Sequence, residues 1–224
     1  MSIESPDRVG AGLHRIAPVA GVASAVLTMA GYLTIGEFPD SSTPASDLPG
    51  YYAAHGQQVT LGGTFLSWAA VCFAIFGAAV WARVHRSSAP PVLAGAVLLG
   101  AAAATMADLN SGAVYNLLGE LGVDPHVTAP ALQAWHISGS AFGVGGGALL
   151  FLLGVGVAGI AYRAVPRSLA WTGLVLGVGQ FAPHPWGFYA SLLFLLWMAV
   201  AGVALAVRPD PASARPAEVP QPVG

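Results

Sequence analysis

From Phe188 to Val207 the chain passes through twenty residues without a charged side chain. A helix of that length rises about 30 Å, the thickness of the hydrocarbon core of a bilayer. Comparable segments recur, each bounded by charge, Pro or Gly: about Ile16 to Gly36, Val59 to Ala82, Val92 into the region of Asp108, Ala131 to Tyr162, and Leu169 to Phe181. Pro183 and Pro185 separate the last two. The pattern predicts an all-α integral membrane protein, a bundle of about six transmembrane helices over residues 16–207.

Composition removes the alternatives. Only 8% of the 224 residues are charged and 55% are hydrophobic, against about a quarter charged in soluble domains. Too few polar side chains are present to cover a water-soluble surface. A net charge of -2 without a basic stripe argues against nucleic acid as a partner, and the single Cys72 excludes a disulfide scaffold. The first segment is as long as a full span and has no small-residue cleavage site, so it is expected to stay as a helix.

Charge sets the expected orientation. The eight basic residues are Arg8 and Arg15, Arg83 and Arg86, Arg163 and Arg167, and Arg208 and Arg215. The intervening connections carry Glu37, Asp40, Asp47, Glu120 and Asp124 instead. The positive-inside rule then places both termini in the cytoplasm, with residues 1–15 and a disordered tail 208–224 there and an outer loop at 38–58. Within that loop, Asp47 to Gln58 is expected to form a short interfacial helix bearing Tyr51, Tyr52 and His55. The setting is the cytoplasmic (inner) membrane, with membrane lipids as the surrounding partners. Gly62, Gly63, Gly77, Ala101 to Ala104 and Gly143 to Gly147 supply close helix approach; such surfaces fit a monomer core and a dimer face equally and leave the oligomeric state open.

Asp108 most needs an explanation. Counted from Val92 it lies about 24 Å into the bilayer, where a carboxylate costs on the order of 2.5 to 3.5 kcal/mol. A carboxyl group kept from water favours its neutral form, which can donate a proton. The plain alternative ends the helix near Leu109, at Asn110, Ser111 and Gly112, with Asp108 at the interface. Glu37, His136, Trp135, Gln180, His184, Ser67 and Trp68 fall at similar heights, and Tyr115 shares a face with Asp108 if the helix continues. With Phe181, Trp171, Trp186 and Tyr189 they outline an outer-leaflet pocket. An interfacial aromatic belt would place the same residues there without a pocket.

Metal binding by His55, His136, His184 and a carboxylate lacks any paired spacing on one helix, and no metal or other cofactor is expected. Proton-coupled transport lacks a visible repeat. Acid-initiated rearrangement asks only for one buried acid and aromatic faces around a lipophilic small-molecule substrate. Asp108 would be the acid, Glu37 or His136 would orient it, and Trp68, Tyr115, Trp135, Gln180, Phe181, His184 and Trp186 would hold the substrate. A non-enzymatic lipid-binding, sensory or assembly role is the competing expectation.

The stretch Pro166-Arg167-Ser168-Leu169-Ala170-Trp171-Thr172-Gly173-Leu174, and Leu48 to Phe76 with "YYAAHGQQ" followed by "LGGTFLSWAAVCFAIF", resemble small multi-pass membrane proteins of actinobacteria of largely unknown function. More distantly, the size and the scattered intramembrane acid resemble the membrane-embedded terpene cyclases of indole-sesquiterpenoid and meroterpenoid pathways. That resemblance implies an isomerase of terpenoid biosynthesis that protonates a prenyl group without a metal.

Overall fold

The computed structural model describes residues 17–207 except 41, 125, 142–144 and 181–185, and it leaves the side chains of 138–141, 145 and 186–188 undescribed. Among the described residues every regular element is helical. A 3-10 turn, Ala17–Val19, leads into α1 (Ala20–Ile35), followed by α2 (Leu48–His85), α3 (Pro91–Leu121), α4 (Ala129–Ala141), α5 (Gly145–Tyr162), α6 (Arg167–Gly179) and α7 (Trp186–Val207). Residues 1–15 and 208–224, assigned above to the cytoplasm, lie outside the described residues.

The ends of these helices follow from their chemistry. Gly36, at φ 69°, closes α1 by donating its N–H to the Tyr32 carbonyl at 3.0 Å, a backbone geometry that favours glycine. Pro91 opens α3 at a position where a helix has no use for the N–H. Pro166, in an extended conformation, precedes α6.

Four helical stretches are long and apolar enough to cross a membrane: Ala17–Ile35, Leu48–His85, Pro91–Leu121 and Tyr189–Val207. Gly146–Tyr162 is apolar but shorter. Of the predicted fourth segment, the part to Ala141 lies in α4 and the part from Gly145 in α5, with 142–144 outside the described residues, and α6 has 13 residues. The described residues are thus all-helical, with four candidate membrane spans.

Two helices exceed the expected lengths. Instead of an interfacial helix followed by a span, α2 runs unbroken for 38 residues, about 57 Å, so the connection between α1 and α2 is only 36–47. No helix breaker stands between Gly50 and Val59, and Gly56 is needed for contact: a Cβ there would lie 2.8 Å from the Gly119 carbonyl. Asn110, Ser111 and Gly112 likewise do not end α3, because Gly112 sits against Gly63 and Ser67 of α2.

The α2–α3 seam is built from small residues seven apart. Gly56, Gly63, Ala70 and Gly77 are all buried on one face of α2, and the buried Thr105, Gly112 and Gly119 repeat the spacing on α3. A Cβ on Gly63 would come 2.7 Å from the Gly112 carbonyl, and one on Gly77 would come 2.6 Å from the Ala101 Cβ. Lipid offers no hydrophobic drive for association, so such close packing supplies the attraction.

Neighbouring helices run antiparallel throughout, as their contacts show: Gly31 with Gly62 and Leu66, Gly100 with Phe151, Gly147 with Ala104, Gly156 with Leu174, Gly179 with Ala190, and Gly202 with Pro18 and Val22. These contacts place α1, α2, α3, α5, α6 and α7 side by side, with α7 returning to α1. Phe73, Phe76, Phe151, Phe194 and Trp197 interlock between them, with ring centroids 5.6 to 6.5 Å apart. Trp197 Nε1 donates to the Leu169 carbonyl at 2.9 Å, so the one polar atom of that ring has a partner.

Candidate functional site

Asp108 lies seven residues after Ala101, four after Ala104 and four before Gly112, all of them buried. Positions at those spacings share a face, so the carboxyl group points into the bundle and not toward lipid. It is partly buried, and among the described residues it accepts no hydrogen bond. Tyr32 of α1 is within electrostatic range of Asp108 and of Tyr115.

Among the described residues, three buried polar atoms have no partner: Thr105 Oγ1, Asn110 Nδ2 and Gln180 Nε2. Buried groups of this kind are costly, about 1–3 kcal/mol each, and call for an explanation such as water or ligand. Thr105 is one turn before Asp108 on the same face. Gln180 follows α6, and its Oε1 accepts from the Ser191 hydroxyl at 3.0 Å. The level of the two is tied through α5, where Gly147 packs on the Ala104 backbone and Leu149 lies against Gly177, three residues before Gln180. Thr105 and Gln180 therefore stand at a common depth.

His136 occupies a different place. Its ring is buried, with Nε2 3.1 Å from the Asp40 carbonyl oxygen and Nδ1 3.0 Å from the Tyr52 hydroxyl. A carbonyl only accepts, so Nε2 carries the hydrogen, Nδ1 accepts, and Tyr52 donates. Both nitrogens are thereby engaged away from Asp108, and His136 does not orient it. Phe38 stacks on the imidazole at 4.9 Å and meets Tyr115 edge-on at 5.1 Å. Tyr51 donates to the Glu37 carbonyl at 3.0 Å, and Gln133 Nε2 donates to the Thr43 carbonyl at 3.4 Å. Together they strap Glu37, Phe38, Asp40 and Thr43 over α4 and the adjoining ends of α2 and α3.

Glu37 is exposed and lines a shallow cavity of about 440 Å³ with Phe38, Tyr51, His55 and Gln58, so it too stands apart from Asp108. Trp68 is 60% exposed, on the side of α2 opposite the small-residue seam, and Trp135 is 44% exposed. These two rings therefore face outward and do not wall a chamber around the acid. Tyr115 is partly buried within the Phe38 cluster. Phe181 and His184 lie outside the described residues; Trp186 opens α7, and its side chain lies outside them as well.

Tyr32, Thr105 and Phe38 were not singled out by sequence reasoning, and Tyr52 was expected only as part of an interfacial helix. Thr105 had a signal: its hydroxyl stands one turn before Asp108, as that of Ser111 stands one turn after it. Among the described residues, no three of His, Cys, Asp and Glu gather as a metal-binding group. The chain matches no family model, no curated protein and no solved structure.

Proposed function

We propose that the chain is a membrane-embedded isomerase that protonates a lipophilic prenylated substrate from Asp108 and lets the resulting carbocation cyclise. The supporting observation is the inward-facing carboxyl group on α3, one turn from the unpartnered Thr105 Oγ1 and level with the unpartnered Gln180 Nε2. Such donors and acceptors would hold a polar group of the substrate while the prenyl chain lies among apolar side chains. The scheme is balanced without a co-reactant. A proton is added to an alkene, the cation closes a ring, and a proton is lost, so mass is unchanged.

Six crossings with both termini in the cytoplasm fit the antiparallel order of α1, α2, α3, α5, α6 and α7, and the arginines Arg83, Arg86, Arg163 and Arg167 gather at one end. The inner membrane is the compartment this orientation implies.

A second reading is binding without chemistry, favoured by the engagement of both His136 nitrogens with Tyr52 and Asp40, which leaves Asp108 without a hydrogen-bond partner among the described residues. One experiment separates them. Membranes containing the chain are given a farnesylated aromatic compound, and the extract is searched by mass spectrometry for an isomer of identical mass. An isomer formed only when the chain is present supports catalysis. Unchanged compound that co-purifies with the chain supports binding alone, and neither isomer nor co-purified compound would reject both readings.

A further inference from the structure

The end of the bundle away from Glu37 and Glu120 carries a separate site. Arg83 of α2, Arg163 after α5 and Arg167 at the start of α6 line a cavity of about 300 Å³ with Ala164, Val165 and Pro166. Arg83 is fixed there, its Nε donating to the Ala164 carbonyl at 3.1 Å. The described carboxylates other than Asp108, namely Glu37, Asp40, Asp47, Glu120 and Asp124, belong to the opposite end.

Arg163 is held in an unusual conformation. Its φ is 57°, and it is the sole non-glycine residue with a positive φ among those described. Its N–H bonds to the Gly159 carbonyl at 3.2 Å, and the Ala164 N–H reaches back to Ala158 at 3.2 Å, the bonding pattern of a helix end that favours glycine. An arginine therefore stands where glycine would close the helix with less strain, and its side chain lines the cavity.

An apolar groove begins beside this cavity. Between α6 and α7, a space of about 590 Å³ is lined by Trp171, Val175, Leu193, Leu196 and Val200, and its first wall residue, Ser168, follows Arg167 directly. Trp171 is one turn beyond Arg167 on the same face. The groove runs inward along α6 for about 12 Å, from Ser168 to Leu176.

We infer that this end binds an anionic phospholipid of its own leaflet, the phosphate held by Arg163 and Arg167 beside Arg83 and one acyl chain lying in the α6–α7 groove. Arginine suits the role because its planar fork bonds phosphate oxygens in pairs. The cavity supplies charge and the groove supplies a chain-shaped apolar wall, and the two are continuous at Arg167–Ser168.

The test measures thermal unfolding of the full chain in detergent with added phosphatidylglycerol, phosphatidylcholine, inorganic phosphate or glycerol 3-phosphate. Phosphatidylglycerol should stabilise at a concentration at least about tenfold lower than phosphatidylcholine, and the two small phosphates should have little effect. Arg163→Gly combined with Arg167→Gln should remove that preference. The glycine accommodates the positive φ, so without lipid Arg163→Gly alone should unfold no earlier than the wild type. Equal stabilisation by phosphatidylcholine, equal stabilisation by a small phosphate, or a preference that survives in the double variant would each overturn the assignment.

Discussion

The Tyr52 hydroxyl and His136 Nδ1 meet at 3.0 Å across 84 residues of sequence, both side chains fully enclosed. The bond joins the outer end of α2 to α4, while the other imidazole nitrogen holds the 36–47 connection through Asp40. Tyr52→Phe keeps the ring and removes the donor, leaving Nδ1 buried without a partner. It should destabilise the protein by about 1–3 kcal/mol. Thermal unfolding checks this, and hydrogen exchange should rise first in residues 40–47.

The small-residue seam makes an opposite pair of predictions. Gly63→Val drives a side chain into the Gly112 carbonyl and the Asn116 N–H, which lie 2.7 and 2.8 Å from the position of a Cβ. It should cost about 1–3 kcal/mol by overpacking. Gly95→Ala on α3 meets nothing within 4 Å and should stabilise by about 0.5–1 kcal/mol through helix propensity. Unfolding midpoints of the two variants should therefore move in opposite directions.

Helix ends marked by Gly or Pro were legible in the sequence: Gly36, Pro91 and Pro166 set boundaries that α1, α3 and α6 follow within a few residues. The unity of α2 was not, because polar Tyr51, His55 and Gln58 suggest an interface while nothing in them breaks a helix. Its signal was the seven-residue spacing of Gly56, Gly63, Ala70 and Gly77, which is a packing period and not a hydropathy period. Asp108 was found because an intramembrane acid stands out alone. The role of His136 was not legible, since its partners Tyr52 and Asp40 are brought to it only by the fold, and depth along a span does not say which way Trp68 faces.

Acid should loosen the outer connection. The Ser42 side chain and backbone N–H, with help from Thr43, hydrogen-bond Asp40 and hold its carboxyl below its ordinary value of 3.8. A group lowered in the folded state adds stability above its unfolded value and loses it as pH falls through the folded one. The protection of the Ser42 amide, its exchange rate compared with that of an unprotected amide at the same pH, should therefore be greatest near neutral pH and fall as pH drops below about 3.8. Asp40→Asn should flatten that dependence.

Orientation is open to a labelling test in a Cys72→Ala background, where Cys72 is the only native thiol. Ser42→Cys, exposed in the outer connection, should react with an impermeant thiol reagent applied to intact cells. Ser88→Cys, exposed between α2 and α3, should react only after the membrane is opened. The reverse pattern would invert the bundle.

The mechanism itself stands on a single oxygen pair at the centre of α3. Turnover of the farnesylated compound by Asp108→Asn, in membranes where the variant unfolds at the wild-type temperature, measures it most directly. The acid assignment predicts a fall of about 100-fold or more, the usual contribution of a positioned proton donor, and full turnover by Asp108→Asn would contradict it.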